Sequence, residues 1–510
     1  MRNKQTLRFP HAGWLMLVLI AAVAFDLHFA QAASPPPSVS NVQVNRVFAG
    51  PFATNRTVEP SIAQNPTAPQ NIIVGAIDEI AEPPCSNTTP SVCRDVPGIS
   101  VSGFYASFDG GKTFPCQGLI DLSAFGKWAE GDAWLTFDSR GNAYYGTLAF
   151  DTITSAPAPT ADIFVAKSTD GGCTWGSAAK VSGTSPSIYD DKDSISADAH
   201  PTSPFRDNVY AAWTKFAGGN LGADQILFSR STDGGATWDK PQAISNAEPV
   251  RGRQGANVQV GPNGTVYVVW LDTVNHQVVQ RMAISYDGGK TFPRANITVA
   301  TVTDDLSDGI LPGTRFVSNG IFPAMAITSD GTLYVTWSNH TNGHGVVLLT
   351  KSTDGGLTWT APVIASDVNG RSSALQAVAV EPSGKVNVIS TAVDDVPVGT
   401  PPGAGVVHYD TYWTLLADTG TTWSLPLKIS KTTSDPDGSS THGLGGQFIG
   451  DYISAVADVS HVYAVWTDSR NATPCVAVDA FRAGTGPKPN VITQCPITFG
   501  NTDIFLGTVS

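Results

Sequence analysis

Five near-copies of one octapeptide recur along this chain: SFDGGKTF from Ser107, STDGGCTW from Ser168, STDGGATW from Ser231, SYDGGKTF from Ser285 and STDGGLTW from Ser352. A worn sixth, ADTGTTWS, surrounds Asp418. Their aspartates, Asp109, Asp170, Asp233, Asp287, Asp354 and Asp418, lie 61, 63, 54, 67 and 64 residues apart. A repeat on that scale, with a turn in each unit, predicts an array of small sheets. The local chemistry explains the recurrence. An aspartate caps backbone N–H groups a few residues on, two glycines accept φ > 0 without a Cβ clash, and the closing Trp or Phe anchors the turn. These aspartates are read as turn caps rather than as catalytic groups.

A second pattern lies between the turns: an apolar strand, a tight turn, and a stronger strand rich in Val, Tyr and Trp. NVQVGPNGTVYVVW from Asn257 and AMAITSDGTLYVTW from Ala324 are examples. Others start at Ser61, Ala133, Ser194, Ala377 and Ile453, giving seven units, of which the last has no octapeptide. Asn-Gly, Asp-Gly and Ser-Gly between β-rich runs are hairpin signals, and near-continuous apolarity marks strands covered on both faces. The expected fold is all-β: a single propeller of seven blades, each of about four antiparallel strands. Either the segment from Asn41 to Phe48 or that from Asp503 to Val509 is expected to complete the closing blade.

The octapeptides resemble the Asp-box, S-x-D-x-G-x-T-W, of the bacterial neuraminidase (BNR) repeats found in the sialidase superfamily. The resemblance runs from about Val58 to Arg470. It implies a propeller, with six blades as the sialidase-like alternative to seven, and a protein acting on glycans as a sialidase-like glycoside hydrolase. It also implies an arginine triad for a sialic acid carboxylate, a Tyr–Glu nucleophile and an Asp acid/base. The family's first arginine lies in a Phe-Arg-Ile-Pro motif. The matching stretch here is Thr57-Val58-Glu59-Pro60-Ser61-Ile62, so Val58 stands at the arginine position and Arg56 is displaced by two.

The termini and composition set the context. Arg2, Lys4 and Arg8 precede an apolar run from Trp14 to Phe25 and an Ala30-Gln31-Ala32 cleavage site, the signature of a secretory signal over residues 1–32. Residues 33–50 read as a linker or closing strand and residues 51–510 as the propeller. A secreted, extracellular or periplasmic location follows, with no membrane span elsewhere. The formal net charge of −13 argues against nucleic acid as a partner and leaves a glycan or glycoprotein ligand. Six cysteines in a secreted chain predict disulfides. Among the 15 pairings, Cys85–Cys93, Cys116–Cys173 and Cys475–Cys495 are the expected set, the second tying neighbouring sheets together.

In a propeller the first-to-second-strand turn and the third-to-fourth-strand turn share one rim. The Asp-boxes therefore face away from the rim where inner strands begin. Just before the inner strands stand Glu59, Asp132, Asp193, Asn257, Pro323, Gln376 and Asp451, expected to be equivalent and to form a ring about the axis. Second strands end at Asp78 and Glu79, Asp151, Asp272, Asn339 and His340, Asp394 and Asp395, and Asp468 with Arg470; Lys192 adds a cation. Three readings stay open: an acid–base pair drawn from Glu59, Asp132, Asp193 and Asp451, a Ca2+ or Mg2+ site of oxygen ligands, or a ring that bonds backbone N–H groups. Arg56, Asp468, Arg470 and Tyr452 are the candidate substrate contacts, with Arg251, Arg253, Arg315 and Arg371 as further arginines and His340/His344 as a loose metal pair. No cofactor is required on this reading. An acidic ring disfavours an anionic sugar.

Overall fold

Hairpin after hairpin, the chain builds seven antiparallel sheets in sequence order. The computed structural model describes residues 37–510 apart from residues 47, 49, 152–160, 177, 184–187, 218–223, 247–251, 276, 303–320, 342–343, 394–406 and 417–422. The expected secretory signal over residues 1–32, Asp394, Asp395, Asp418, Arg251 and Arg315 lie outside the described residues. The inner strands are Thr57–Gln64, Trp134–Phe137, Ile188–Ala197, Gln254–Val260, Ala324–Ile327, Ser373–Val380 and Ser454–Ala457. They touch in that order around an axis, and the seventh packs on the first. The result is a seven-bladed β-propeller. Blade two carries an extra short inner strand, Lys127–Ala129, paired with the same second strand as Trp134–Phe137.

Closure uses both candidate segments rather than one. In blade seven the order from the outside is Val39–Gln43, Asp503–Val509, Val462–Asp468, Ser454–Ala457. The C-terminal strand is thus the third strand, and the N-terminal one pairs outside it, Val39 opposite Val509. Both ends of the propeller lock into one sheet.

The second strands explain the Val/Tyr/Trp-rich runs. Trp213, Trp270, Trp337 and Trp466 each occupy the fifth residue of a second strand, in Val209–Ala217, Val266–Val274, Leu333–Thr341 and Val462–Asp468. All four are at most 1 % exposed, so each indole fills the wedge between adjacent blades and contributes the large apolar burial that holds sheets face to face.

The Asp-boxes are the turns the chemistry predicts. Ser107 Oγ donates to Asp109 Oδ1 at 2.8 Å, Thr113 N–H to the same oxygen at 3.0 Å, Thr113 Oγ1 to Oδ2 at 2.7 Å, and Gly111 N–H to Ser107 Oγ at 2.8 Å. The same four bonds recur about Asp170, Asp233, Asp287 and Asp354. The Thr358 hydroxyl and amide and the Ser352 hydroxyl hold the Asp354 carboxyl down to about 2. Gly110 N–H donates to Gln70 O in the turn between the first two strands of its blade, so the boxes share the rim of those turns.

All three expected disulfides form: Cys85–Cys93, Cys116–Cys173 and Cys475–Cys495. Cys116–Cys173 links the outer strand of blade one to the Asp-box of blade two. The other two flank a small apolar lobe in which Phe52, Leu444, Val478 and Phe499 are buried. Among the described residues no helix is long and apolar enough to cross a membrane.

Candidate functional site

The rim opposite the Asp-boxes opens on a cavity of about 60 Å3 at the axis. Its walls include Asp132, Lys192, Asp193, Asp451 and Tyr452, with Trp134, Phe322 and Leu375 as apolar surface. Asn257, Pro323 and Gln376 line it too, so six of the seven ring positions face the axis; Glu59 lies behind them, 2 % exposed. Trp134 also borders a second cavity of about 310 Å3 toward the Asp-box end, walled by Gln64, Thr136, His200, Gln259 and Ser454. The Trp134 and Tyr452 rings stand 6.2 Å apart.

The expected equivalence of the ring positions needs correction. Counted back five residues from the last residue of each inner strand (Gln64, Phe137, Ala197, Val260, Ile327, Val380, Ala457), the corresponding residues are Glu59, Asp132, Lys192, Gly255, Phe322, Leu375 and Tyr452. Five of these sit in left-handed backbone: Glu59 at φ 60°, Asp132 at 49°, Lys192 at 52°, Gly255 at 70° and Leu375 at 49°. Strand pairing slips beside them, between Val58 and Ser61, Asp191 and Ser194, Gln254 and Asn257, and Ala374 and Gln376. In blades one, three, four and six a β-bulge thus falls at the start of the inner strand and changes which residue faces the axis. Non-glycine residues held at φ > 0 are costly and persist where surrounding structure fixes them. Asp193 and Asp451 reach the pocket from neighbouring register positions.

Lys192 is the centre of the arrangement. Its Nζ lies 3.0 Å from Asp451 Oδ2, 3.1 Å from Asp132 Oδ1 and 3.6 Å from Glu59 Oε1, joining blades three, seven, two and one. Its backbone N–H donates to Asp132 Oδ2 at 3.0 Å, and its ammonium lies 5.3 Å from the centre of the Tyr452 ring. Asp451 N–H donates to Glu59 Oε1 at 3.0 Å. The protein's own ammonium is thus shared by three carboxylates and offsets only part of their charge.

Proton affinities diverge around that lysine. Burial pushes the Glu59 carboxyl up to about 8 against the pull of Lys192. Burial, with Asp132 nearby, takes Asp191 to about 8. For Asp132 burial is the largest single influence and acts upward, but the charge and hydrogen bonds of Lys192 together with the hydrogen bond from Asp191 outweigh it, and the carboxyl falls below its ordinary value. Asp193 rises well above the carboxylate range through burial and the negative charge of Asp132 and Asp191. It is 3 % exposed, and neither carboxyl oxygen has a hydrogen-bond partner; the Tyr452 hydroxyl is buried and unpartnered as well.

The other candidates fall elsewhere. Asp468 is fully buried, accepting from Trp466 Nε1, Ser434 Oγ and both Nε and Nη2 of Arg470, whose guanidinium stacks 3.8 Å from the Phe505 ring centre. That pair caps a strand end in the closing blade and lines neither cavity. Arg253 is buried against Asp272 and Asn246, and Arg371 reaches Tyr412. His344 pairs with Asp367 at 3.1 Å.

Arg56 belongs to a second charged cluster that the sequence did not disclose. Its guanidinium bonds Glu79, stacks over Phe448 and comes within 3.4 Å of His442 Nε2. His442 Nε2 is 3.0 Å from Glu79 Oε2, and its Nδ1 is 3.5 Å from Asp95 Oδ1. The Glu79, Asp95 and His442 ligand atoms lie within 4.8 Å of one another, the one trio among the described residues spaced for a metal ion. Arg56 already sits in that cluster, which makes it an ion-pair network between the loop after blade one's second strand and the segment leading into blade seven. Burial works against the charge on His442, but its bonds to Asp95 and Glu79 lift it to about 9. A raised folded value gives stability that is complete below the ordinary 6.5 and lost as pH climbs through about 9. His442→Gln is expected to lower stability by about 1.5–3 kcal/mol at pH 6, with the gap to wild type closing near pH 10. Thermal melts of both proteins across that range check it.

Fold and rim together define a sialidase-like propeller built on Asp-box repeats, and the chain belongs to the BNR repeat-like domain family, matched over residues 159–434. Among named relatives it is similar to a sialidase of Micromonospora viridifaciens, 28 % identical over 228 residues, which make up 40 % of this chain and 33 % of that protein. The chain thus spans about a third of the length of that relative. Similar solved structures include the Hadza microbial sialidase Hz136, with 15 % identity, 72 % and 71 % of the two chains covered and a TM-score of 0.43. Another is an alpha-L-arabinanase of Penicillium chrysogenum complexed with arabinobiose, with 16 % identity, 74 % and 98 % covered and a TM-score of 0.43.

Proposed function

We propose that this chain is a secreted, sialidase-like propeller that acts on glycans by taking the tip of a sugar into the axial pocket. The observation that supports it most is a built recess on the working rim. Aromatic and apolar walls enclose buried polar groups, Asp193 and Tyr452 Oη, that have no partner in the protein. A concave recess with aromatic and apolar walls and a few polar side chains, set at the mouth of the channel, is the usual form of a small-ligand site. The leader from Arg2 to Ala32 supports secretion.

The recess disfavours sialic acid as that sugar. No arginine lines it among the described residues, and its lysine is already shared by three carboxylates. A carboxylate-bearing sugar wants bidentate guanidinium contacts, and here it meets acids.

Hydrolysis is a second reading, favoured by one observation: Asp132 and Asp193 line the same pocket with proton affinities displaced in opposite directions. Opposite displacement of two carboxyls is what a glycosidase pair requires, and on this reading Asp193 is the proton donor to the leaving oxygen and Asp132 the ionised partner. Release of a fluorogenic leaving group from sialosides and from neutral and amino-sugar glycosides separates the readings. Turnover by the wild type that falls at least 100-fold in both Asp132→Asn and Asp193→Asn supports hydrolysis. Absence of turnover, with retention on a glycan array, leaves recognition alone; neither turnover nor retention overturns the glycan reading.

A further inference from the structure

We propose that the propeller channel at its Asp-box end is a second binding site, separate from the axial pocket, and takes one neutral pyranose. The two cavities share only Trp134, so this site goes beyond the reading of the opposite rim and does not depend on it.

Position and size are the first argument. The cavity of about 310 Å3 is walled by the inner strands of blades one, two, three, four and seven. Pro66 and His200, from the first-to-second-strand turns of blades one and three, line it at the Asp-box end. Pockets for small ligands run from about 300 to 1,000 Å3, so this one has the size for a single sugar ring rather than a chain. The axial pocket, at about 60 Å3, is too small for a whole ring.

Chemistry is the second. Not one Asp, Glu, Lys or Arg lines the cavity, whereas acids dominate the opposite rim. Thr136 Oγ1 accepts from Ala197 N–H at 3.1 Å, and Ser454 Oγ accepts from Ile62 N–H at 3.4 Å. Those bonds fix both hydroxyls across blade junctions and leave each O–H to donate. The Gln64 amide nitrogen is held by Pro69 O at 2.8 Å and Asp458 Oδ2 at 3.0 Å, which leaves Oε1 as an acceptor. His200 Nε2 donates to Val260 O at 2.9 Å, so Nδ1 of the neutral ring is left to accept. Gln259 spends its amide on one long bond, 3.5 Å to Asn257. These side chains are half-buried, and the uncommitted atoms of Gln64, His200 and Gln259 are open to the cavity rather than sealed in the protein. A sugar hydroxyl both donates and accepts. A wall that mixes free O–H donors with free acceptors matches it, and Trp134 adds aromatic surface for the C–H side of the ring.

An ion is the poorer occupant. Moving a charge out of water against a wall with no opposite charge is costly, so a sugar acid or an amino sugar is discriminated against. Solvent alone is the competing occupant, and it predicts no ranking among solutes.

The test is saturation-transfer NMR with calorimetric titration of the full chain at pH 7. The probes are the methyl glycosides of glucose, galactose and mannose, each also as its C6 carboxylate and its C6 amine. At least one neutral glycoside is expected to bind, and at least tenfold more tightly than its two charged analogues. Gln259→Leu, which keeps the volume and removes the amide, is expected to weaken that binding at least fivefold. Gln259→Glu is expected to invert the order in favour of the C6 amine, and Asp132→Asn, at the other rim, to leave the binding in place. No binding of any neutral glycoside means that the channel holds solvent only and overturns the proposal, as does equal binding of neutral and charged sugars. Binding that Asp132→Asn loses and Gln259→Leu keeps puts the sugar in the axial pocket, which overturns the channel site while the glycan reading of the rim stands. Should Gln259→Leu fail to fold, the wild-type ranking still decides.

Discussion

Replacing Lys192 with Met is expected to cost about 3–5 kcal/mol of stability at pH 8, the range for stranding buried charges whose partner is removed. The substitution keeps most of the side-chain volume and deletes one ammonium. That ammonium is the common partner of Glu59, Asp132 and Asp451, which come from three other blades. Without it the three carboxyls must either lose their negative charge or remain ionised in a site where Glu59 is 2 % and Asp132 5 % exposed. The pH dependence separates this cause from lost packing. In the wild type Lys192 holds Asp132 below its ordinary value, so that group contributes stability above about 4 and loses it as pH falls further. In the variant the carboxyls bind protons more readily folded than unfolded, so stability falls as pH rises. The deficit relative to wild type should therefore be large at pH 8 and small near pH 4.5. Lys192→Arg, which restores a cation, should recover most of it. Urea melts at the two pH values measure the difference; a deficit that does not change with pH would show that the lysine acts through its methylenes alone.

The wild type should share a milder form of this trend. Glu59 and Asp191 are each raised to about 8. Acids raised in the folded state contribute stability fully below their ordinary range of about 4, and that stability is lost as pH climbs through about 8. His442 acts in the same direction up to about 9.

What the chain discloses in advance follows from the range of each interaction. An Asp-box closes on itself within eight residues: the Asp109 carboxylate bonds Thr113 and Ser107, so identity at fixed offsets suffices to read it. The blade count is equally local, since each hairpin carries its own turn and strand pattern. The axial site is not local. Three of its acids, Asp132, Asp193 and Asp451, can be named from their place before the inner strands, yet their register cannot. The left-handed positions at Glu59, Asp132, Lys192 and Leu375 are held by residues that do not advertise φ > 0, and only Gly255 in that series shows a glycine. In the sequence Lys192 is one cation in a DDKD run; its role exists only once blades one, two and seven surround it. The Asp468-Ser469-Arg470 cluster admits two readings in the sequence, a substrate contact or an ion pair that caps a strand. Opposite charges beside an aromatic look like a binding site in one dimension, and in three they cap a strand, satisfied by Trp466 and Ser434. His442 gave no signal at all, since it sits in a Gly/Ser-rich stretch and meets Glu79 and Arg56 across 363 and 386 residues of chain.

Truncating the chain after Asn501 is expected to abolish the soluble, cooperatively folded monomer. The lost strand Asp503–Val509 is the third strand of blade seven, flanked on one side by Val462–Asp468 and on the other by Val39–Gln43. Ile504, Phe505, Leu506 and Val509 are all buried, and burial of such side chains contributes about 1.5–3 kcal/mol each. Their sum rivals the 5–15 kcal/mol that typically separates a folded domain from its unfolded chain. Two further costs follow. Val39–Gln43 loses its only ladder, and Val462–Asp468 becomes an unpaired hydrophobic edge prone to association. Removing Val39–Gln43 instead should be far milder, since that strand is outermost and only half-buried; the melting temperature should drop while the propeller survives. The asymmetry is the telling part. If closure of the ring through blade seven holds the seven sheets together, a synthetic peptide spanning residues 502–510 added during refolding should restore the truncated chain's circular dichroism and monomeric elution. A truncated protein that elutes as a monomer and melts cooperatively within a few degrees of the full chain would mean that six blades hold without the seventh. The gathering of Glu59 and Asp451 around Lys192 would then need a cause other than closure.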